Sequence, residues 1–231
     1  MTRTITSDAD DKVKDALTVI ADPKANPTQY SNAMYALGQG IGRSLASKIN
    51  LTESVSLACT NEDADYLTKG IIEVLESQGC NIALTCFWNE RQKMADGLPD
   101  IAPIIKRYQE PNALKATTLI VVKSIIATAC VVKTNLTNMI HEGQFERVFV
   151  VAPVIYNQAI PKLKQEFSED ISKRFEYVYF AEDSDMNPAG EVVPGIGGNL
   201  YVRLGFKDQQ DKNKYQPNLV KQRRAMFINA P

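Results

Sequence analysis

Apolar positions along the chain switch between two periods. Residues 10–21 and 29–49 carry them at helical spacing, and Met34, Leu37, Ile41 and Leu45 share one face of the second stretch. The breaker run Asp22-Pro23 to Asn26-Pro27 separates the two. Gly38, Gly40 and Gly42 weaken the second helix unless another helix packs closely there. β-Branched runs predict strands over 54–59, 81–87, 117–122, 147–153 and 175–181. Helical patterns lie between them. One starts at an Asn61 cap, with Glu62 and Asp63 in its first turn, and stops at Gly79. Others cover 128–142 and 157–166. Residues 89–109 are mixed around a Gly97-Leu98-Pro99 turn, and the polar residues 1–12 read as frayed. Alternating strand and helix predicts a mostly parallel sheet covered on both faces. Ligands of such sheets bind beyond the carboxyl ends of the strands. The turns at 59–64, 123–130 and 181–187 fall there.

Composition narrows this picture. The 231 residues allow one large α/β domain or two small ones, with 44% hydrophobic and 23% charged residues. A net charge of −1 gives no global field toward nucleic acid or an anionic membrane. No apolar run approaches the ~20 residues that span a bilayer, and residues 1–12 hold no signal-peptide core, so a cytoplasmic protein is expected. Cys59, Cys80, Cys86 and Cys130 are scattered and fit neither a zinc site nor a disulfide framework, so reduced thiols are expected. The single histidine, His141, precedes Gly143 at a predicted helix end and reads as a solvated turn residue, not a catalytic base.

The stretch Leu119 to Cys130 runs a buried-type strand into a turn of small residues, with a helical pattern after it. Pro194-Gly195-Ile196-Gly197-Gly198, with Val192-Val193 before it and Gly205 after it, resembles the closing motif of uracil phosphoribosyltransferases. The likeness continues backwards in order. Tyr179 to Asn187 resembles the segment leading to that motif, and Val150-Val151-Ala152-Pro153 the core strand after the phosphate helix. Val122 to Cys130 is similar to the family's Asp-Pro-Met-Leu-Ala-Thr-Gly-Gly loop. Pro103 to Tyr108 with Pro111 resembles its Pro-x-x-Tyr-Tyr stretch, and Ala58 to Tyr66 sits where a Leu-Arg-Ala-Gly loop would be. The resemblance implies a type I phosphoribosyltransferase-like α/β domain over 29–206, with a mostly parallel central sheet, helices on both faces and a small hood or arm. Residues 1–28 are then an N-terminal segment and 207–231 a polar tail. The tail's Lys212, Lys214, Lys221, Arg223 and Arg224, with Met226-Phe227-Ile228, could dock on a partner or a second subunit; a solvated tail is the default expectation.

Such enzymes join a nucleobase to phosphoribosyl pyrophosphate. Magnesium and basic donors hold the pyrophosphate, a carboxylate holds the ribose hydroxyls, and helix N-terminal amides hold the 5′-phosphate. The resemblance places Lys123 and Ser124 where the carboxylates would be, and Ala129 and Cys130 where the glycines would be. A lysine has three donors and no acceptor, so it cannot accept from ribose hydroxyls. Lys123, Ser124, Ala127, Thr128, Ala129 and Cys130 remain candidates for binding a phosphate; a plain turn with Lys123 in solvent is the equal alternative. Cys130, at a helix start near Lys123, reads as a reactive thiol or as a buried small residue. Thr60, Asn61 and Glu62 replace Arg-Ala-Gly, and Glu62 with Asp63 should repel a pyrophosphate, so a solvated helix cap is expected. Arg91 is the arm candidate, and Trp88 reads as core or interface. Val193, Pro194, Gly195, Gly197 and Gly198 are base-binding candidates, although Gly198, Leu200 and Tyr201 replace the family's Asp, Gly and Asp, and Arg203 lies one position from the expected arginine. A structural turn is the alternative.

Three readings follow. The first is a catalytically impaired homologue that binds a nucleotide or phosphate ligand, or serves as a subunit of a larger assembly. The second is an active transferase joining a pyrimidine-like base to phosphoribosyl pyrophosphate with altered specificity, using Arg91, Lys123 and Asp183 or Asp185 around magnesium. The third is a purely structural interaction protein. No catalytic residue and no metal ligand is assigned, and magnesium enters only with the second reading. The resemblance also implies a phosphoribosyl-pyrophosphate-like ligand and a homo-oligomer or protein partner; composition gives the expectation of no membrane and no nucleic acid.

Overall fold

The computed structural model describes residues 3–92, 101–128 and 130–228. The predicted Gly97-Leu98-Pro99 turn and the candidate Ala129 lie outside them. In chain order the elements open with β1 (Arg3–Ile5), α1 (Asp11–Ala21), α2 (Pro27–Ala46) and β2 (Ser54–Thr60). A 3₁₀ turn (Asn61–Asp63) and a π turn (Ala64–Thr68) lead into α3 (Lys69–Ser77). Then come β3 (Asn81–Asn89), β4 (Ile104–Gln109), β5 (Thr118–Val122), β6 (Ile125–Ile126), α4 (Cys130–Glu142), β7 (Arg147–Val151) and β8 (Val154–Tyr156). The last third holds α5 (Ala159–Gln165), α6 (Glu169–Ser172), β9 (Phe175–Val178), β10 (Ala181–Asp183), β11 (Asp185–Met186) and β12 (Val192–Val193). Three helices end the chain: α7 (Leu200–Arg203), α8 (Gln209–Lys214) and α9 (Asn218–Ile228).

The central sheet has six strands in the order β4-β3-β2-β5-β7-β9. All its pairings are parallel except β3 with β4. Its strands are apolar on both faces because helices cover both. Alternation still sorts the side chains. Leu57, Ile120, Val122, Phe149 and Val151 pack under α1, α2 and α3. Ala58, Leu119, Val121, Val148 and Val150 pack on the other face with Val132, Leu136 and Met139 of α4. This is the mostly parallel α/β sheet expected from the sequence. A smaller sheet, β1-β10-β8-β6, and the β11–β12 hairpin form a hood beside it.

Several local expectations are corrected. The expected strand 147–153 is two strands, β7 and β8, divided around Pro153. Residues 3–12 are not frayed. β1 pairs with β10, and the Arg3 guanidinium donates to both carboxylate oxygens of buried Asp183 at 2.8 and 2.7 Å. The segment after 207 is not a solvated tail. α9 buries Leu219 and Val220, and Arg223 donates to both carboxylate oxygens of Glu110 at 2.7 and 2.8 Å. The helix expected from Asn61 is interrupted at its start, and all three residues of the 3₁₀ turn face inward.

The glycines inside α2 serve close packing. A Cβ on Gly38 would lie 2.1 Å from the Leu67 carbonyl oxygen, on the π turn that crosses α2. Gly38→Ala is therefore expected to lower stability in urea unfolding by about 2–3 kcal/mol, the range for overpacking a tight contact. An unchanged unfolding midpoint would contradict so close an approach.

Candidate functional site

The strand order turns back between β2 and β5, the switch point of the sheet. The two chain segments leaving those strands meet through charge. Lys123 follows β5, and its Nζ donates to Asp63 Oδ2 at 2.6 Å and to Glu62 Oε1 at 3.3 Å. The Thr60 hydroxyl donates to the same Asp63 oxygen at 2.7 Å. A second cation arrives from α8: Lys212 Nζ stands 3.9 Å from Glu62 Oε2 and donates to the Asn89 carbonyl oxygen at 2.6 Å. Glu62 is 6% exposed, Asp63 3%, Lys123 9% and Lys212 0%. The expectations of a solvated helix cap at Glu62 and Asp63 and of Lys123 in solvent are thus both overturned. The acids after β2 and the lysine after β5 balance one another.

The protonation tendencies fit this packing. Burial would push Lys123 down, but Asp63 and Glu62 beside it hold it above the ordinary lysine value. Burial pushes Glu62 up, and the two lysines overcome it and hold the carboxyl below its usual range. Burial, helped by the charge of Glu62, leaves Asp63 above its usual range despite Lys123. Lys212 is lowered by burial, with Lys123 adding to the effect. Tyr201 sits at the same cluster, with Lys212 Nζ 5.3 Å from its ring centre. Burial and then Glu62 push its hydroxyl up to about 12.

A cleft of about 560 Å³ opens beside the cluster. The structure brings Lys123, Ser124, Ala127, Thr128, Cys130, Arg91 and Gly198 to its wall. Glu62, Glu191, Asn199, Tyr201 and Gln209 line it as well. Val193, Pro194, Gly195 and Gly197 do not. Gly195 N–H donates to Asp183 at 2.9 Å, and its carbonyl accepts from Arg3 at 2.7 Å. Gly197 adopts φ +73°, and a Cβ there would lie 2.5 Å from the Ile20 carbonyl oxygen. These contacts give the turn a structural role at the end of α1. Asp183 is engaged by Arg3 and Gly195. Arg203 donates to the carbonyl oxygens of Asp22, Pro23 and Ala25 in the α1–α2 loop. Trp88 is fully buried and donates from Nε1 to the Tyr215 carbonyl oxygen at 2.8 Å. Arg91 is tied to α8 through its backbone, whose N–H and carbonyl bond the Gln209 amide at 3.0 and 3.1 Å.

The first turn of α4 faces the cleft with Cys130, Val131 and Val132. A helix of this length leaves its first amides without helical partners and carries a partial positive charge there. Thr128, exposed just before it, adds a hydroxyl. Among the described residues, no group of three or more His, Cys, Asp or Glu is placed to hold a metal ion.

No protein-family model matches the chain, and no curated protein sequence does. Solved structures do. The AQ2163 protein from Aquifex aeolicus is similar over 85% of this chain and 95% of its own, at 14% identity and a TM-score of 0.63. A hypoxanthine phosphoribosyltransferase from Staphylococcus aureus matches over 75% of each chain at 9% identity and a TM-score of 0.45. A hypothetical protein from Neisseria gonorrhoeae with bound ppGpp matches over 66% of this chain and 84% of its own, at 16% identity and a TM-score of 0.43. At such identities the likeness is one of fold. The architecture is a mostly parallel α/β sheet with one antiparallel edge strand, helices on both faces and a smaller second sheet.

The charge cluster generates a stability test. Lys123→Met leaves two buried acids facing Lys212 alone and is expected to cost about 3–5 kcal/mol in urea unfolding. Adding Asp63→Asn should recover a large part of that loss, because the uncompensated charge is gone. A neutral Lys123→Met would show that the acids do not depend on it.

Proposed function

We propose that this chain is a phosphoribosyltransferase-like binding protein. It holds a nucleotide or similar phosphate-bearing ligand in the cleft and does not transfer phosphoribose from the pyrophosphate. One observation carries the reading: the Lys123–Asp63–Glu62 cluster at the switch point. The family's chemistry calls for acceptors at the end of β5 and cationic donors at the end of β2. Here the polarity of the two is exchanged, and the two loops neutralise one another. A magnesium pyrophosphate does not fit these residues, since both acids are already committed to lysines and a buried ammonium stands between the loops. Admitting it would mean separating a buried ammonium from the two carboxylates that balance it.

What remains suited to a ligand is the other wall. The α4 N-terminus with Thr128 and Ser124 is the arrangement that binds phosphate through amides and hydroxyls. The cleft is also within the size range of small-molecule sites, roughly 300–1,000 Å³. A partner reading has support as well, because Met226 and Phe227 are exposed on the last turn of α9. Assembly through that helix end is compatible with ligand binding in the cleft. No described helix is long and apolar enough to cross a membrane.

Calorimetric titration with uridine monophosphate, and a turnover assay with uracil, phosphoribosyl pyrophosphate and magnesium, test the reading together. The expected result is nucleotide binding at about 10–100 μM, on the order of −6 kcal/mol, with no product formed. Thr128→Asp places a carboxylate before the helix N-terminus and should weaken that binding about tenfold. Product formation would establish the active-transferase reading instead. Absence of any nucleotide binding would leave the structural role.

A further inference from the structure

The cleft has a second chemical end, and its missing partner can be read from hydrogen bonding. Glu62 lines the cleft at 6% exposure, yet its Oε2 accepts no hydrogen bond. The nearest cation, Lys212 Nζ, is 3.9 Å away and is spent on the Asn89 carbonyl oxygen. A buried acceptor without a donor is costly. The partner Glu62 Oε2 lacks is an N–H or O–H donor. It is also a neutral one. Two lysines already face two carboxylates, so an added ammonium would leave an unbalanced positive charge against a buried cluster.

From this we infer that the cleft takes a nucleoside monophosphate whose base carries an exocyclic amine, with the phosphate at the α4 N-terminus and the amine toward Glu62. The inference rests on the nucleotide-binding reading above and adds the ligand's class and its direction in the cleft. A carboxylate accepts from an amino group and repels the carbonyl oxygen that replaces it in the keto bases. The discrimination therefore comes from one position on an otherwise similar ring.

Titrating the full chain with cytidine and uridine monophosphates, and with adenosine and inosine monophosphates, tests it. Within each pair only the amine-for-carbonyl exchange and its ring proton differ. The amino member of at least one pair should bind about tenfold more tightly, the effect of one charge-assisted hydrogen bond. Glu62→Gln, whose amide can donate to a carbonyl, should narrow the preference to about threefold or reverse it. Ribose 5-phosphate serves as the control for the phosphate end. If it and all four nucleotides bind with no preference for the amine, this inference falls while the binding reading stands, and Glu62 Oε2 is served by water. If none of the five binds, the reading of the cleft falls, and this inference with it. Should Glu62→Gln fail to fold, the wild-type comparison decides alone.

Discussion

Charge that leaves water must be balanced where it goes, and the arrangement of this molecule follows from one such balance. Two carboxylates at the end of β2 lie inside the protein with two lysines, one from β5 and one from α8. Taken singly, any of the four would be intolerable at its depth. Together they hold the loops after β2 and β5 against each other and draw the C-terminal segment over the sheet. Arg223 with Glu110 and Asp65 with the α9 backbone fix that segment further along. The cleft takes its shape from what this cluster leaves free.

The same balance is separate from what holds the scaffold together. The sheet, the helices and the hood depend on apolar burial, which is indifferent to the sign of the charges at the strand ends. Those charges can change if they change together. Residues 62, 63 and 123 depart from the resembling family in compensating directions. The hood turn at 192–198 has meanwhile become a fixture, pinned by Asp183 and by the end of α1.

Much of the fold was legible because it is local. The strands around 54–60, 81–89 and 118–122 announce themselves as β-branched runs, and the Asp22–Pro27 breakers divide α1 from α2 as expected. The order of the loops against a known family supplied the architecture. Apart from the strand that Pro153 divides, the misreadings were non-local. Glu62 and Asp63 look like a solvated helix start because first-turn acids suit any helix. Only Lys123, some sixty residues on in the chain, turns them inward. The signal was present, since acids gained in one loop and a lysine gained in the next are each other's counterpart. Read singly, each loop showed a loss. Lys212 and Arg223 sit in a stretch whose composition is that of a solvated tail, and the partners that bury them lie more than a hundred residues upstream. Only contacts such as Arg223 with Glu110 reveal their placement. β1 was missed because three residues carry no period, and its strength lies in the Arg3–Asp183 pair.

Asp65 bears on how the chain comes together in time. Its carboxylate accepts from the N–H groups of Asn218 and Leu219 at 2.9 and 2.7 Å, and from the Tyr215 hydroxyl. The cap of α9 is therefore supplied from the far side of the domain and not by the helix's own sequence. An eleven-residue helix is marginal in isolation. It gains its first turn only when the β2 end is already in place. On a growing chain, Glu62 and Asp63 are made long before Lys212, so the nascent domain carries its acids with a single lysine until the last helices dock. Docking of α8 and neutralisation of the cleft are then one event, and a chain cut short upstream of α8 would differ in the electrostatics of its cleft as much as in its length.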